Sequence, residues 1–199
     1  MFFKKQSPKR ILVLLGHPDK ETYCGSLATA YEEGAREGGH QVKRVNVGEL
    51  SFDPLLHKGY KVIQELEPDV KKLQEDMRWA EHVVVIYPNW WSTMPAVLKG
   101  LFDRMWLPGF AFKFHKDKPY SWDKLLAGRT ARVVLTMNAN PFLERLAIGD
   151  YTNEIRRGIL GFAGFSPVAL TSFGPAERVS DKQKELWRAE VHRLGIKAK

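Results

Sequence analysis

The sequence predicts an α/β chain built on a doubly wound, five-stranded parallel sheet with helices on both faces. Three observations carry this expectation. Short apolar runs at residues 11–15, 83–86 and 133–135 lack polar alternation, as strands buried on both faces do. Segments with apolar residues at helical spacing lie between the strands. Glycine, proline and small polar residues close each run. Strands that alternate with helices need crossover connections, and these make the sheet parallel.

The elements follow in order. Residues 10–15 form the first strand, ended by Gly16 and Pro18. A helix is expected over about residues 25–37, with Leu27, Ala28, Tyr31 and Ala35 on one face and Gly38-Gly39 as its stop. Residues 41–47 alternate polar and apolar, which suits a strand with a wetter face near a sheet edge. The stretch 48–64 is irregular and holds Phe52-Asp53-Pro54; such loops are usually functional or packed over a site. Pro68 opens a helix to Trp79, with Val70, Leu73 and Met77 along one side. The third strand covers residues 82–87.

Met94 or Pro95 begins the next helix, which carries Val97, Leu98, Leu101, Phe102 and Met105. Residues 106–114 are aromatic and too irregular for a helix, so they read as a loop or a short extended piece. Residues 125–128 connect to a strand at 130–136, and residues 137–141 are a turn. A helix is expected at 153–162 and a last strand at 167–172. Ser180 caps the final helix, with Gln183 at the capping-box position. A wetter second strand is most consistent with the spatial order 2-1-3-4-5. Ligands then bind beyond the carboxyl ends of the strands, where the first and third diverge.

The bulk properties bound the function. The 199 residues are 44% hydrophobic and 27% charged, which suits one globular domain with a sizeable core. Residues 1–9 read as a short basic tail and residues 10–199 as the domain. No apolar run approaches the ~20 residues of a membrane span, and the apolar continuation at 11–15 is too short for a signal peptide. No membrane insertion is expected. The one cysteine, Cys24, excludes an internal disulfide and agrees with a cytoplasmic setting. The net charge is +8, but lysine and arginine are scattered, which suits a solvated basic surface and no nucleic-acid partner. The same charge would also attract phosphorylated cofactors. No cysteine pair or His-x-x-x-His spacing offers a metal site, and no serine nucleophile elbow is present. Gly158, Gly161 and Gly164 neither follow a strand nor open a helix, so close packing is expected there.

Three polar loops converge on one sheet edge. The first holds His17, Thr22, Tyr23 and Cys24, where a helix start could cradle a phosphate, or Thr22 could simply cap the helix. The third strand ends in Pro88, Asn89, Trp90, Trp91 and Ser92; the indoles could cover a flat ligand, pack in the core or make a dimer contact. The fourth ends in Thr136, Met137, Asn138 and Ala139. A flat ligand with a phosphate tail fits this edge, and the mononucleotide part of a flavin has both.

The run Pro88-Asn89-Trp90-Trp91-Ser92-Thr93-Met94-Pro95-Ala96-Val97-Leu98-Lys99-Gly100-Leu101-Phe102-Asp103-Arg104 resembles the signature of the flavodoxin-like NAD(P)H:quinone oxidoreductases. Leu14-Leu15-Gly16-His17-Pro18 with Thr22-Tyr23-Cys24-Gly25-Ser26 is similar to that family's first phosphate loop, and Gly109-Phe110-Ala111-Phe112 to its substrate-side loop. The resemblance extends over residues 10–195. It implies a homodimeric flavoenzyme in which NAD(P)H reduces a bound flavin at N5 and then leaves, after which a quinone or similar acceptor is reduced at the same place. It also implies that His17, Thr22, Tyr23 and Cys24 hold the phosphate region, while residues 89–92 and 136–139 border the ring.

Two departures stand out. Cys24 occupies a position where asparagine is common in the family, and Thr136-Met137-Asn138 stands where Thr-Gly-Gly is frequent. Phe142 and Ile148 fall near the positions of the tyrosine and histidine that assist hydride transfer in the mammalian members, so no catalytic acid or base is assigned. FMN and FAD both remain open, as do NADH and NADPH. An electron-carrier flavodoxin is a competing reading, against which the basic charge speaks. A redox-sensing regulatory subunit of a membrane transporter is another.

Overall fold

The fold is described by a computed structural model covering residues 7–118 and 120–199, so most of the expected basic tail lies outside the described residues. The strands are β1 (Arg10–Leu15), β2 (Gln41–Asn46), β3 (His82–Pro88), β4 (Phe112–Phe114), β5 (Trp122–Lys124), β6 (Thr130–Thr136) and β7 (Val168–Phe173). Five of them form a parallel sheet in the order β2-β1-β3-β6-β7. In chain order of the sheet strands this is the expected 2-1-3-4-5. β4 and β5 pair separately as an antiparallel hairpin.

The helices are α1 (Tyr23–Glu37), α2 (Pro68–Trp79), α3 (Ala96–Met105), α4 (Pro141–Ile148) and α5 (Asp181–Ile196), with a π-helical segment over Glu154–Gly161. Alternate strand residues point to opposite faces. Leu12, Leu14, Val83 and Val85 pack under α2 and α3, while Ile11, Val13, Leu15, Val84 and Ile86 pack under α1 and α5. Every residue of β3 is buried, as its unbroken apolar run requires, whereas β2 at the edge is mostly half-buried.

Register fixes the site. Leu15 pairs with Ile86, and Pro88 pairs with Thr136. The carboxyl ends of β1, β3 and β6 therefore open at one level, and the three polar loops leave the sheet side by side.

Several expectations are corrected. α1 begins at Tyr23, two residues earlier than its apolar periodicity suggests, because Thr22 is extended and caps it. Residues 141–148, of which only Pro141 belongs to the expected turn and the rest were assigned no element, form α4, whose Asn140 cap accepts from the amides of Phe142 and Leu143 at 3.0 and 3.3 Å. None of its residues is buried, so no core-facing stripe marked it in the sequence. The 48–64 stretch contains two 3₁₀ turns, Val47–Glu49 and Gly59–Lys61. Close packing holds at Gly164, where an added Cβ would sit 2.8 Å from the Ala127 nitrogen, and at Gly161, but Gly158 faces open space.

One charged group is folded into the core. Arg104 is 1% exposed, pairs with Glu67 at 3.0 Å, and donates to the carbonyls of Asp53 and Glu65. It pins both ends of the irregular loop to α3. No helix among the described residues is long and apolar enough to cross a membrane.

Candidate active site

A cleft of about 340 Å³ lies at the carboxyl edge of the sheet, lined by His17, Thr22, Tyr23, Cys24, Pro88, Asn89, Trp90, Thr136, Met137, Asn138, Ala176, Glu177 and Lys184. Ten of these are residues singled out in the sequence. Ala176, Glu177 and Lys184 were not foreseen. They come from the loop after β7 and the first turn of α5, and only the path of the last crossover brings them here.

The first wall is the start of α1. The Thr22 hydroxyl accepts from the Gly25 amide at 3.3 Å, and its carbonyl accepts from Ser26 at 2.9 Å. First-turn amides have no intrahelical acceptor. Those of Tyr23 and Cys24 are thus left to a ligand or water, at the positive end of the helix dipole. The Thr22 cap is formed, and the same helix start leaves amides that could serve an anion.

Cys24 forms the floor. Its Sγ lies 3.2 Å from Thr136 Oγ1, joining the start of α1 to the end of β6. Burial pushes its thiol up to about 11, so the floor carries no negative charge. Tyr23 donates its hydroxyl to the Lys184 carbonyl at 3.0 Å, and burial pushes that phenol up to about 12, keeping it a neutral donor. Tyr23, Trp187 and Phe173 then form an aromatic seam, with ring centroids 6.4 and 5.1 Å apart.

The second wall comes from β3. The Asn89 amide donates to the Thr136 carbonyl at 2.7 Å, holding the two strand ends together. Asn89 Oδ1 is buried and has no partner among the described residues. A buried acceptor without a donor costs about 1–3 kcal/mol, which a ligand bearing an N–H or O–H would recover. Trp90 meets the His17 ring edge-on at 5.3 Å, across the cleft mouth.

The remaining expected residues lie outside the cleft lining. Trp91 is 99% exposed and Ser92 adopts φ 64, both in the left-handed region at the tip of a tight turn. Trp90 and Thr93 close that turn with reciprocal backbone bonds of 2.9 and 3.2 Å. Ser92 donates to Glu144 of α4 at 3.2 Å, so the turn leans on the helix. The Ala139 carbonyl faces Gly174, where a Cβ would approach to 2.2 Å. Of the two indoles only Trp90 lines the cleft within this chain, because Trp90 pairs with Thr93 at the base of the turn while Trp91 sits at its exposed tip.

A larger apolar cavity of about 750 Å³ lies apart from this edge, between the 56–64 stretch, the end of α3 and the β4–β5 hairpin.

Residues 9–194 match the family described as having the flavodoxin-like fold. The chain belongs to that family. Among its relatives, a ribosyldihydronicotinamide dehydrogenase [quinone] from Homo sapiens is 28% identical, the match covering 94% of this chain and 90% of that protein. An uncharacterized NAD(P)H oxidoreductase from Haemophilus influenzae is 24% identical over 87% of this chain and 88% of its own. The solved NAD(P)H:quinone oxidoreductase from Methanothermobacter marburgensis has the same fold, with a TM-score of 0.80 at 23% identity, covering 97% of this chain and all of that one.

Proposed function

We propose that this flavodoxin-like chain is a flavin-dependent NAD(P)H oxidoreductase that reduces quinones or similar two-electron acceptors. The observation that carries the reading is the pairing, in one cleft, of free amides at the start of α1 with the buried, unpartnered Asn89 Oδ1. The first suits a phosphate and the second a ring bearing an N–H. The relatives' names support the NAD(P)H and quinone part of the reading.

A bound flavin would supply the redox chemistry, accepting two electrons and a proton at N5 from NAD(P)H and giving them to the acceptor in a ping-pong cycle. The chain's own residues bind and orient it. His17, Thr22, Tyr23 and Cys24 would hold the phosphate end, and Asn89 and Trp90 would border the ring. Thr136, Met137 and Asn138 would border the ring as well. No side chain of the cleft is assigned as a catalytic acid or base.

The protein is further proposed to act as a homodimer in the cytoplasm. Tyr60, Val62, Ile63 and Phe114 are exposed apolar side chains around the larger cavity, and a second copy would cover them. The test is direct. The purified protein is expected to be yellow, to release a flavin on denaturation, and to oxidise NAD(P)H in the presence of a quinone. A colourless protein that takes up no added flavin and oxidises no NAD(P)H overturns the reading.

A further inference from the structure

We propose that the edge of the sheet where the strands begin, opposite the cleft, docks on an anionic phospholipid surface. The inference is independent of the flavin reading.

Parallel strands give the sheet two unlike edges. β1, β3, β6 and β7 start at one level, where Ile11 pairs with His82, His82 with Thr130 and Ala131 with Val168. The segments at this edge are residues 7–10, 37–41, 78–82, 125–130, 163–168 and 196–199. They hold six lysines and arginines against two acidic residues, Glu37 and Glu81. The loops at the cleft edge, residues 16–22, 89–95, 137–153 and 174–184, hold five lysines and arginines against six acidic residues. Charge that is scattered along the sequence is thus sorted by the fold, and a basic surface gathers away from the cleft. Lys4 and Lys5 precede this edge in the sequence, with no acidic residue between them and Arg10.

The cations are neighbours. Arg129 Nη2 donates to the Arg78 carbonyl at 2.7 Å, and the Glu81 amide donates to the Arg10 carbonyl at 2.8 Å. Lys9 Nζ donates to the Ala198 carbonyl at 3.4 Å, which brings Lys197 and Lys199 to the same edge. The two acids do little to offset them. Glu81 pairs with Arg10 at 3.4 Å, and Glu37 with His192 at 3.2 Å. Arg129 Nε is buried with no partner among the described residues. Burial lowers the pKa of its guanidinium, and the charges of Arg10 and Arg78 lower it further. Like charges held this close repel, and external anions relieve them.

The surface suits a bilayer. The cations lie along an edge of five strands, about 20 Å wide at ~4.8 Å per strand, and a small single anion could not reach them all. A protein partner needs buried apolar anchors at the centre of its contact. Leu125 is the one exposed large apolar side chain in these segments among the described residues. An anionic leaflet instead offers many mobile headgroups, each attracted to nearby lysine or arginine. Docking this way buries no span in the hydrocarbon. It also leaves the cleft open, since strands of six and seven residues set the two edges about 20 Å apart.

The experiment sediments the full chain with phosphatidylcholine vesicles, made with and without phosphatidylserine, at low salt. Binding is expected only where phosphatidylserine is present, and is lost near about 1 M salt, where charges are screened beyond about 3 Å. Arg78→Gln and Lys197→Gln each lower the partition coefficient about fivefold, the equivalent of about 1 kcal/mol per charge. Lys182→Gln, at the cleft edge, changes it by less than about twofold. Thermal melts show that each variant is folded, and Lys197→Gln carries the test if Arg78→Gln is not. An equal loss from Lys182→Gln and Lys197→Gln overturns the proposal, because net charge alone would then explain binding. Binding to neither vesicle, equal binding to both, or binding to duplex DNA as tight as to phosphatidylserine vesicles overturns it too.

Discussion

Thr93 Oγ1 donates to Glu154 Oε2 at 2.5 Å, tying the tip of the tryptophan turn to the π-helical segment 61 residues later. Trp91 and Ser92 sit beside this bond at φ 53 and 64. Left-handed backbone costs non-glycine residues about 1–2 kcal/mol each, so the turn persists because its flanks are held. Thr93→Val removes the tie while keeping the shape. Amide exchange at residues 90–93 should rise about fivefold, the equivalent of roughly 1 kcal/mol for one hydrogen bond, with the exchange of β3 unchanged.

Trp90 and Trp91 should separate cleanly. Trp90 lines the cleft and contacts His17, while Trp91 is fully exposed. Trp90→Ala should weaken flavin binding about tenfold, from the roughly 1 kcal/mol or more that aromatic contacts provide. Trp91→Ala should change it by less than about threefold. Fluorescence titration of the two variants checks this, and the reverse ranking would mean that the turn folds inward when ligand binds.

Arg104 makes its neighbourhood intolerant of change at Glu67. With Glu67→Ala the guanidinium stays buried at 1% exposure without its carboxylate. Removing one partner of such a pair costs about 3 kcal/mol. The unfolding free energy should fall by that amount, seen as a lower denaturation midpoint at an unchanged slope.

His82 predicts the shape of the acid limb. Burial, with smaller effects from Lys9, Arg132 and His40, pushes its imidazole from 6.5 down to about 3. The unfolded chain therefore binds a proton between these values that the folded chain refuses. This contribution to stability is complete above pH 6.5 and is lost progressively as pH falls toward 3. His82→Leu, measured by denaturant melts from pH 7 to 4, should flatten that decline.

Ile63 is 88% exposed on the apolar face. If a second copy covers it, Ile63→Glu should shift the protein to monomer in sedimentation, with the monomer's helix content unchanged. A wild-type chain that is already monomeric at high concentration would refute the pairing.

Most of the scaffold was legible locally. Unbroken apolar runs marked β1, β3 and β6, because strands buried on both faces leave no polar positions. Alternation marked β2 as an edge. Glycine, proline and the Thr22 and Ser180 caps marked most helix boundaries within a few residues, because capping chemistry is local. Ten lining residues of the cleft were legible for the same reason: a doubly wound sheet gathers its strand ends whatever the side chains are. Tertiary structure alone decided the rest. α4 escaped notice because it buries nothing. Ala176, Glu177 and Lys184 reach the cleft only through the last crossover, and Tyr23 meets Lys184 across 161 residues of sequence. The inward indole is Trp90 and the outward one Trp91 because a two-residue turn, held by Glu144 and Glu154 from distant segments, fixes both directions at once.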